Sequence, residues 1–166
     1  TGNVKIDPVI VPADKKEDNV KQVVHTKPAY PAGEFKIHDT KVIYAKQGSP
    51  FLAIAKLYDV DLSKIFEFNE IPRMETVSAD QLIYLQRKRK TGKAEFHTVM
   101  PGESLHAIAQ EQAIRLESLM ELNWLKPGEK PAPGEQLSLK KKSSSMPKLA
   151  VRENYSLTQE KTRTSN

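Results

Sequence analysis

The stretch Gly48–Asn69, GSPFLAIAKLYDVDLSKIFEFN, returns 54 residues later as Gly102–Asn123, GESLHAIAQEQAIRLESLMELN. Identities fall at Gly48/Gly102, Ala53/Ala107, Ile54/Ile108, Ala55/Ala109, Leu62/Leu116, Glu67/Glu121 and Asn69/Asn123. Phe51/Leu105, Ile65/Leu119 and Phe68/Leu122 keep apolar character. With one inserted residue, Gln81-Leu82-Ile83-Tyr84 falls on Gln136-Leu137-Ser138-Leu139. Self-similarity at a fixed period means two copies of one structural unit.

Each copy has the same local grammar. A short β-branched and aromatic run, Val42–Lys46 or Glu95–Met100, predicts a strand. Gln47-Gly48 or Pro101-Gly102 then turns the chain. Apolar residues follow at helical spacing: Phe51, Ile54, Ala55 and Tyr58, or Leu105, Ile108 and Ala109. Ser104 is placed to cap its helix, as is Ser49 with Pro50 at the first helical position. After Asp59-Val60-Asp61 or Ala113-Ile114-Arg115, a second short helix buries Leu62, Ile65 and Phe66, or Leu116, Leu119 and Met120, and ends near Asn69 or Asn123. Asp61 can cap its helix where Arg115 cannot, and Glu117 in the first turn partly compensates. A Pro-containing loop leads to a closing strand, Gln81–Leu85 or Gln136–Leu139. The expected fold class is α+β: two βααβ modules, each with a two-stranded antiparallel sheet, flanked by extended, disordered tails. Units this small have little core and should be modestly stable.

The organisation expected is a Pro- and charge-rich linker over 1–37, module 1 over 38–85, a basic connector over 86–95, module 2 over 96–140 and a basic polar tail over 141–166. Charge follows these borders. Residues 38–85 carry −2 and residues 96–139 carry −3, whereas residues 86–95 carry +4 and residues 140–166 carry +5, out of a net +5 for 166 residues. A nucleic-acid binder concentrates its basic residues on a folded surface. Here they lie between and beyond the folded parts, which argues against nucleic acid and for solvated linker charge. The Val4–Val11 stretch could add as a strand to a partner's sheet edge. The chain starts at Thr1 with neither Met nor a secretory signal pattern, as expected of a matured product or a fragment.

Composition excludes several classes. No apolar run approaches the ~18–20 residues of a membrane-spanning helix. The absence of Cys removes disulfides, thiolate metal sites and cysteine nucleophiles. His25, His38, His97 and His106 show no metal-ligand spacing, so neither a metal nor another cofactor is expected. Glu67/Glu70 and Glu117/Glu121 are helical neighbours, read as solvated faces rather than a glycosidase pair. No nucleophile motif, phosphate loop or dinucleotide fingerprint occurs. With the repeats filling the foldable part, no catalytic residue is expected.

The second copy, from His97-Thr98-Val99-Met100-Pro101-Gly102-Glu103-Ser104-Leu105 through Ile108-Ala109, Leu119 and Leu122-Asn123 to Pro133-Gly134-Glu135-Gln136-Leu137, closely resembles the LysM motif. The first copy is similar but degenerate, with Gly48-Ser49-Pro50-Phe51 at the opening turn and Ala79-Asp80-Gln81-Leu82 where a Gly would be expected. The pair also resembles the tandem LysM region that follows the catalytic domain of secreted bacterial glucosaminidases. The resemblance implies binding of N-acetylglucosamine (GlcNAc)-containing glycans, peptidoglycan above all, in the cell envelope, periplasmic or extracellular. It maps the groove to Gly102, Glu103, Ser104 and Leu105 with Leu125, Lys126 and Pro127. The weaker counterpart is Gly48, Ser49, Pro50 and Phe51 with Ile71, Pro72 and Arg73, because Pro50 lacks a backbone donor. Trp124 suits either sugar stacking or the covering of a hydrophobic edge. Two weak sites on one chain would gain avidity through effective concentration. The alternative is an interaction protein of an envelope complex, docking on proteins through its modules and through residues 1–37 and 141–166.

Overall fold

A computed structural model describes residues 29–151. The elements run β1 (Glu34–Ile37), β2 (Thr40–Ala45), α1 (Phe51–Leu57), α2 (Leu62–Asn69), β3 (Gln81–Tyr84), β4 (Phe96–Thr98), α3 (Leu105–Glu111), α4 (Leu116–Leu122) and β5 (Gln136–Ser138). The order strand, helix, helix, strand thus occurs twice, as β2-α1-α2-β3 and β4-α3-α4-β5. All sheet pairing is antiparallel, β1-β2-β3 in one sheet and β4-β5 in the other. Among the described residues, no helix is long and apolar enough to cross a membrane.

The first sheet has three strands rather than the two expected, and β1 lies inside the segment read as linker. Glu34, Phe35, Lys36 and Ile37 alternate between exposed and half-buried, a period-2 pattern suited to a sheet edge. The two-residue turn His38-Asp39 has φ of 47° and 60°, the left-handed pair that matches hairpin twist. His-Asp is not the Asn-Gly signature of such turns, so the hairpin left little trace in the sequence. In β2 and β3 both faces are covered. Ile43, Ala45, Ile83 and Leu85 join Phe51, Ile54, Ile65 and Phe66 under the helices. On the reverse face Val42, Leu82 and Tyr84 pack with Tyr30, Phe35 and Tyr44, and with Ala113 from the second unit. Unbroken apolar runs are what such doubly covered strands require.

Two buried asparagines close the units. Asn123 Nδ2 donates to Leu119 O and Ser138 O, both at 2.9 Å, and its Oδ1 accepts from Ser138 N at 2.7 Å. Asn69 does the same between α2 and β3, with Ile65 O, Tyr84 O and Tyr84 N. Each amide ties the end of the second helix to the closing strand, satisfying backbone groups that would otherwise be buried without partners.

Capping follows the sequence at Asp61, which accepts from Ser63 N at 2.8 Å, and at Ser104, which accepts from Ala107 N at 3.0 Å. The Ser63 bonds hold the exposed Asp61 carboxyl below its ordinary pKa. Pro50 sits at the N-cap itself, one residue earlier than expected, and α1 has no side-chain cap. At α4 the cap comes from the other unit, since Leu116 N donates to Glu70 Oε1 at 3.0 Å.

That contact is part of a fused interface, which corrects the picture of a free, solvated connector. Arg89 forms a parallel bridge with Ile114, and Arg115 N donates to Arg89 O at 2.9 Å. The Lys88 side chain is 0% exposed. Its ammonium donates to Glu70 and, at 2.7 Å, to Gln110 Oε1. Gln110 Nε2 donates to Asn69 Oδ1 and Leu82 O, both at 3.0 Å, and the Tyr84 hydroxyl donates to Gln110 O. Burial lowers the Lys88 pKa against the pull of Glu70, and burial raises that of Tyr84. Gly92 completes the seam by donating to Leu139 O at 2.7 Å. A Cβ on Gly92 would stand 2.9 Å from Leu139 Cβ. Gly92→Ala should therefore cost ~1–3 kcal/mol by overpacking, measured by urea unfolding.

Residues 141–151, expected as a disordered tail, are also engaged. Ser143 N donates to Leu122 O at 2.7 Å, and Leu149 bridges Pro131. The Val4–Val11 strand reading lies outside the described residues.

Candidate functional site

The opening turn of the second unit is held from within. Gly102 has φ of 76°, a left-handed conformation that glycine adopts without strain. Glu103 folds back so that its carboxylate accepts from Met100 N at 3.0 Å and lies 2.9 Å from His97 Nε2. Ser104 spends its oxygen on the helix cap. These side chains shape the turn, leaving backbone and apolar surface as its outward chemistry.

Across from the turn runs the loop after α4. Lys126 N donates to Glu129 Oε2 at 2.8 Å, and Gly128 has φ of 86°. The loop then pairs with residues 148–150, with Ala132 N donating to Lys148 O and Ala150 N to Lys130 O, both at 2.8 Å. Between turn and loop lies a cleft of about 420 Å³, within the ~300–1,000 Å³ usual for small-ligand sites. Gly102, Glu103, Ser104, Leu105 and Pro127 all line it, as do Met100, Leu116, Met120 and Pro131. Ala150 forms part of its wall.

Two expected residues fall elsewhere. Leu125 is 6% exposed and belongs to the core with Ile108, Leu119 and Leu137. Lys126 is exposed but outside the lining. An apolar residue directly after the helix end was available to either core or groove, and the core took it. Trp124, although half-exposed, anchors the tail: its Nε1 donates to Ser143 O at 2.7 Å, and Lys142 Nζ stands 3.9 Å from its ring centroid. The Ala150 wall lies in a segment whose composition reads as tail; the short apolar run Leu149-Ala150-Val151 is its one signal.

In the first unit the corresponding space is closed. Gly48 N donates to Val77 O at 2.8 Å, Val77 N to Ser49 O at 2.9 Å and Phe51 N to Glu75 O at 2.9 Å, with Pro50 bridging Thr76. The loop after α2 is thus fastened onto the opening turn through an isolated antiparallel bridge. Phe51 is 1% exposed, and Ile71 is half-buried against the same core. Pro72 is exposed, and Arg73 lines a separate shallow recess with Asp61 and Phe66. Arg73 lines that recess without Gly48, Ser49, Pro50, Phe51, Ile71 or Pro72.

Among the described residues, no group of three His, Asp or Glu side chains could hold a metal ion.

Residues 97–140 match the LysM domain family. LysM is a non-catalytic carbohydrate-binding domain, and no catalytic domain is evident among the described residues. No curated protein matches. Solved structures of the spore cortex-lytic enzyme SleL from Bacillus cereus and Bacillus megaterium are similar at 24% and 19% identity. These matches cover 61% and 63% of this chain but only 22% and 23% of theirs, with TM-scores of 0.27 and 0.26. The chain therefore spans less than a quarter of the length of those enzymes.

Proposed function

We propose that this chain is a tandem LysM protein that binds GlcNAc-containing glycan, most specifically peptidoglycan, in the cell envelope. In that role it anchors or targets an attached hydrolase or other envelope protein. The observation that carries the reading is the open cleft between Gly102–Leu105 and Pro127–Pro131, lined, apart from Ala150, by the segment that matches LysM. Its lining suits a neutral sugar with an apolar ring face and an acetyl methyl. Leu105, Met120 and Pro131 offer apolar contact and the turn offers backbone polar groups, beside the charged side chains of Glu103, Glu129 and Lys130. The working site comprises Gly102, Glu103, Ser104, Leu105 and Pro127, with Glu103 and Ser104 acting through the shape of the turn.

The first unit, a degenerate LysM module by this reading, serves as a packing partner. Its fastened turn leaves no equivalent opening, and avidity between two sites on one chain is not how it contributes. The proposed organisation is accordingly one body spanning both modules and their connector, in place of two beads on a flexible basic spacer.

Sedimentation with insoluble peptidoglycan tests this. The chain should be retained, and soluble GlcNAc oligomers should release it whereas raised salt should not, because salt screens only electrostatic attraction. Replacing Leu105 and Met120 together by alanine should weaken retention about tenfold, the equivalent of ~1.4 kcal/mol, with circular dichroism verifying the fold. Retention that salt abolishes and oligomers leave untouched would overturn the reading.

A further inference from the structure

The opening turn of the second unit has a second side. Met100, Gly102, Glu103 and His106 line the cleft described above and also a wider groove of about 730 Å³ on the opposite flank of the turn. The far wall of that groove belongs to the first unit. It consists of Tyr30, from the segment before β1, and Tyr44 on β2, whose ring centroids lie 5.0 Å apart. Phe35 stacks behind Tyr30 at 5.6 Å and fixes its plane. Neither module could build this groove alone, since it exists only because the interface holds β2 and β3 against α3.

The chemistry of the lining selects its occupant. It contains the two half-buried tyrosines, the amides of Gln81 and Gln110, the imidazoles of His97 and His106 and the carboxylates of Glu103 and Glu111, but no Lys or Arg. An anionic ligand such as a lipid headgroup, a nucleic acid or a carboxylate-rich peptide would meet like charge there. Aromatic surface beside the Gln81 amide and the Glu111 carboxylate is suited to the apolar face and hydroxyls of a neutral sugar ring, with Lys46 Nζ standing 5.4 Å from the Tyr44 ring centroid. We infer that the Tyr30–Tyr44 groove is an additional subsite, in which sugar units of a GlcNAc polymer already held in the Leu105–Pro131 cleft continue across the module boundary. The inference rests on the glycan-binding reading and adds to it the requirement for a longer chain, as well as a binding role for a module whose own turn is closed.

Calorimetric titration of the full chain with GlcNAc oligomers of increasing length tests it. Short oligomers should bind through the first cleft. Affinity should then rise again, by roughly tenfold, once the oligomer is long enough to pass the turn and stack on tyrosine. Tyr44→Leu keeps apolar volume in the sheet but removes the aromatic face, and should abolish that second rise while leaving short oligomers unaffected. Tyr30→Ala should do the same and, lying outside every strand, spares the ladder if Tyr44→Leu disturbs it. A single plateau in the wild type, or a second rise that survives both substitutions, would overturn the subsite and leave the first cleft standing. If no oligomer of any length binds, both readings fall.

Discussion

Asn123→Ala is expected to cost ~3 kcal/mol or more of stability and to lower the melting temperature by on the order of 10 °C. The amide makes three hydrogen bonds, to Leu119 O, Ser138 O and Ser138 N, at a site with 0% exposure. Deleting it strands the backbone of Ser138 between α4 and β5, and a buried polar group without a partner costs ~1–3 kcal/mol. The second unit has a small core around Ile108, Leu119 and Leu137, each such side chain adding only ~1.5–3 kcal/mol. A loss of this size is therefore a large fraction of what holds it. Asn123→Leu separates the causes: it restores volume but not polarity, and should be no better than alanine. Asn69→Ala should be at least as severe, because Asn69 Oδ1 also accepts from Gln110 across the interface. Losses below ~1 kcal/mol would mean that these amides do not tie helix to strand.

Lys88→Met should cost ~3 kcal/mol, the scale of breaking a buried ion pair from one side. It should also separate a single unfolding transition into two. The ammonium bonds Glu70 and Gln110 and lies 5.6 Å from the Tyr84 ring centroid. Without it Glu70, still capping α4 through Leu116 N, loses its counter-charge. Adding Glu70→Gln keeps a cap while removing that charge, so the double variant should recover part of the loss. The pH dependence has a definite sign. Burial lowers the Lys88 pKa, so the folded chain binds fewer protons than the unfolded one below the ordinary value of 10.5. Its contribution to stability rises with pH as that value is approached from below. Tyr84 and Tyr30, whose pKa values are raised by burial, have the opposite effect above pH 10. Between neutral pH and 10, stability should therefore rise more in the wild type than in Lys88→Met. Identical profiles would remove Lys88 from the interface account.

The repeat made the βααβ order legible because its signals are local: helical spacing in Phe51–Ala55, turn glycines at 48 and 102, caps at Asp61 and Ser104. What the sequence concealed is non-local. Lys88 belongs to a run of four basic residues that reads as a solvated connector, and only the facing pair Glu70 and Gln110 makes its burial tolerable. The β1 hairpin turns on His38-Asp39, a dipeptide with weak turn preference. The closing of the first site depends on Glu75–Val77 pairing with the opening turn, whereas in the second unit the Pro-rich stretch 131–133 pairs with Lys148–Ala150 instead. Periodicity records which face of an element is apolar, but not which distant segment will cover it.

Titration of the isotope-labelled full chain with a short GlcNAc oligomer, followed by amide NMR, tests the central claim most directly. The largest shifts are expected at Gly102, Glu103 and Leu105 on the turn and at Gly128 and Lys130 on the facing loop, with Gly48, Ser49 and Phe51 unmoved. Shifts centred on the Gly48 turn, or none at saturating oligomer, would contradict it.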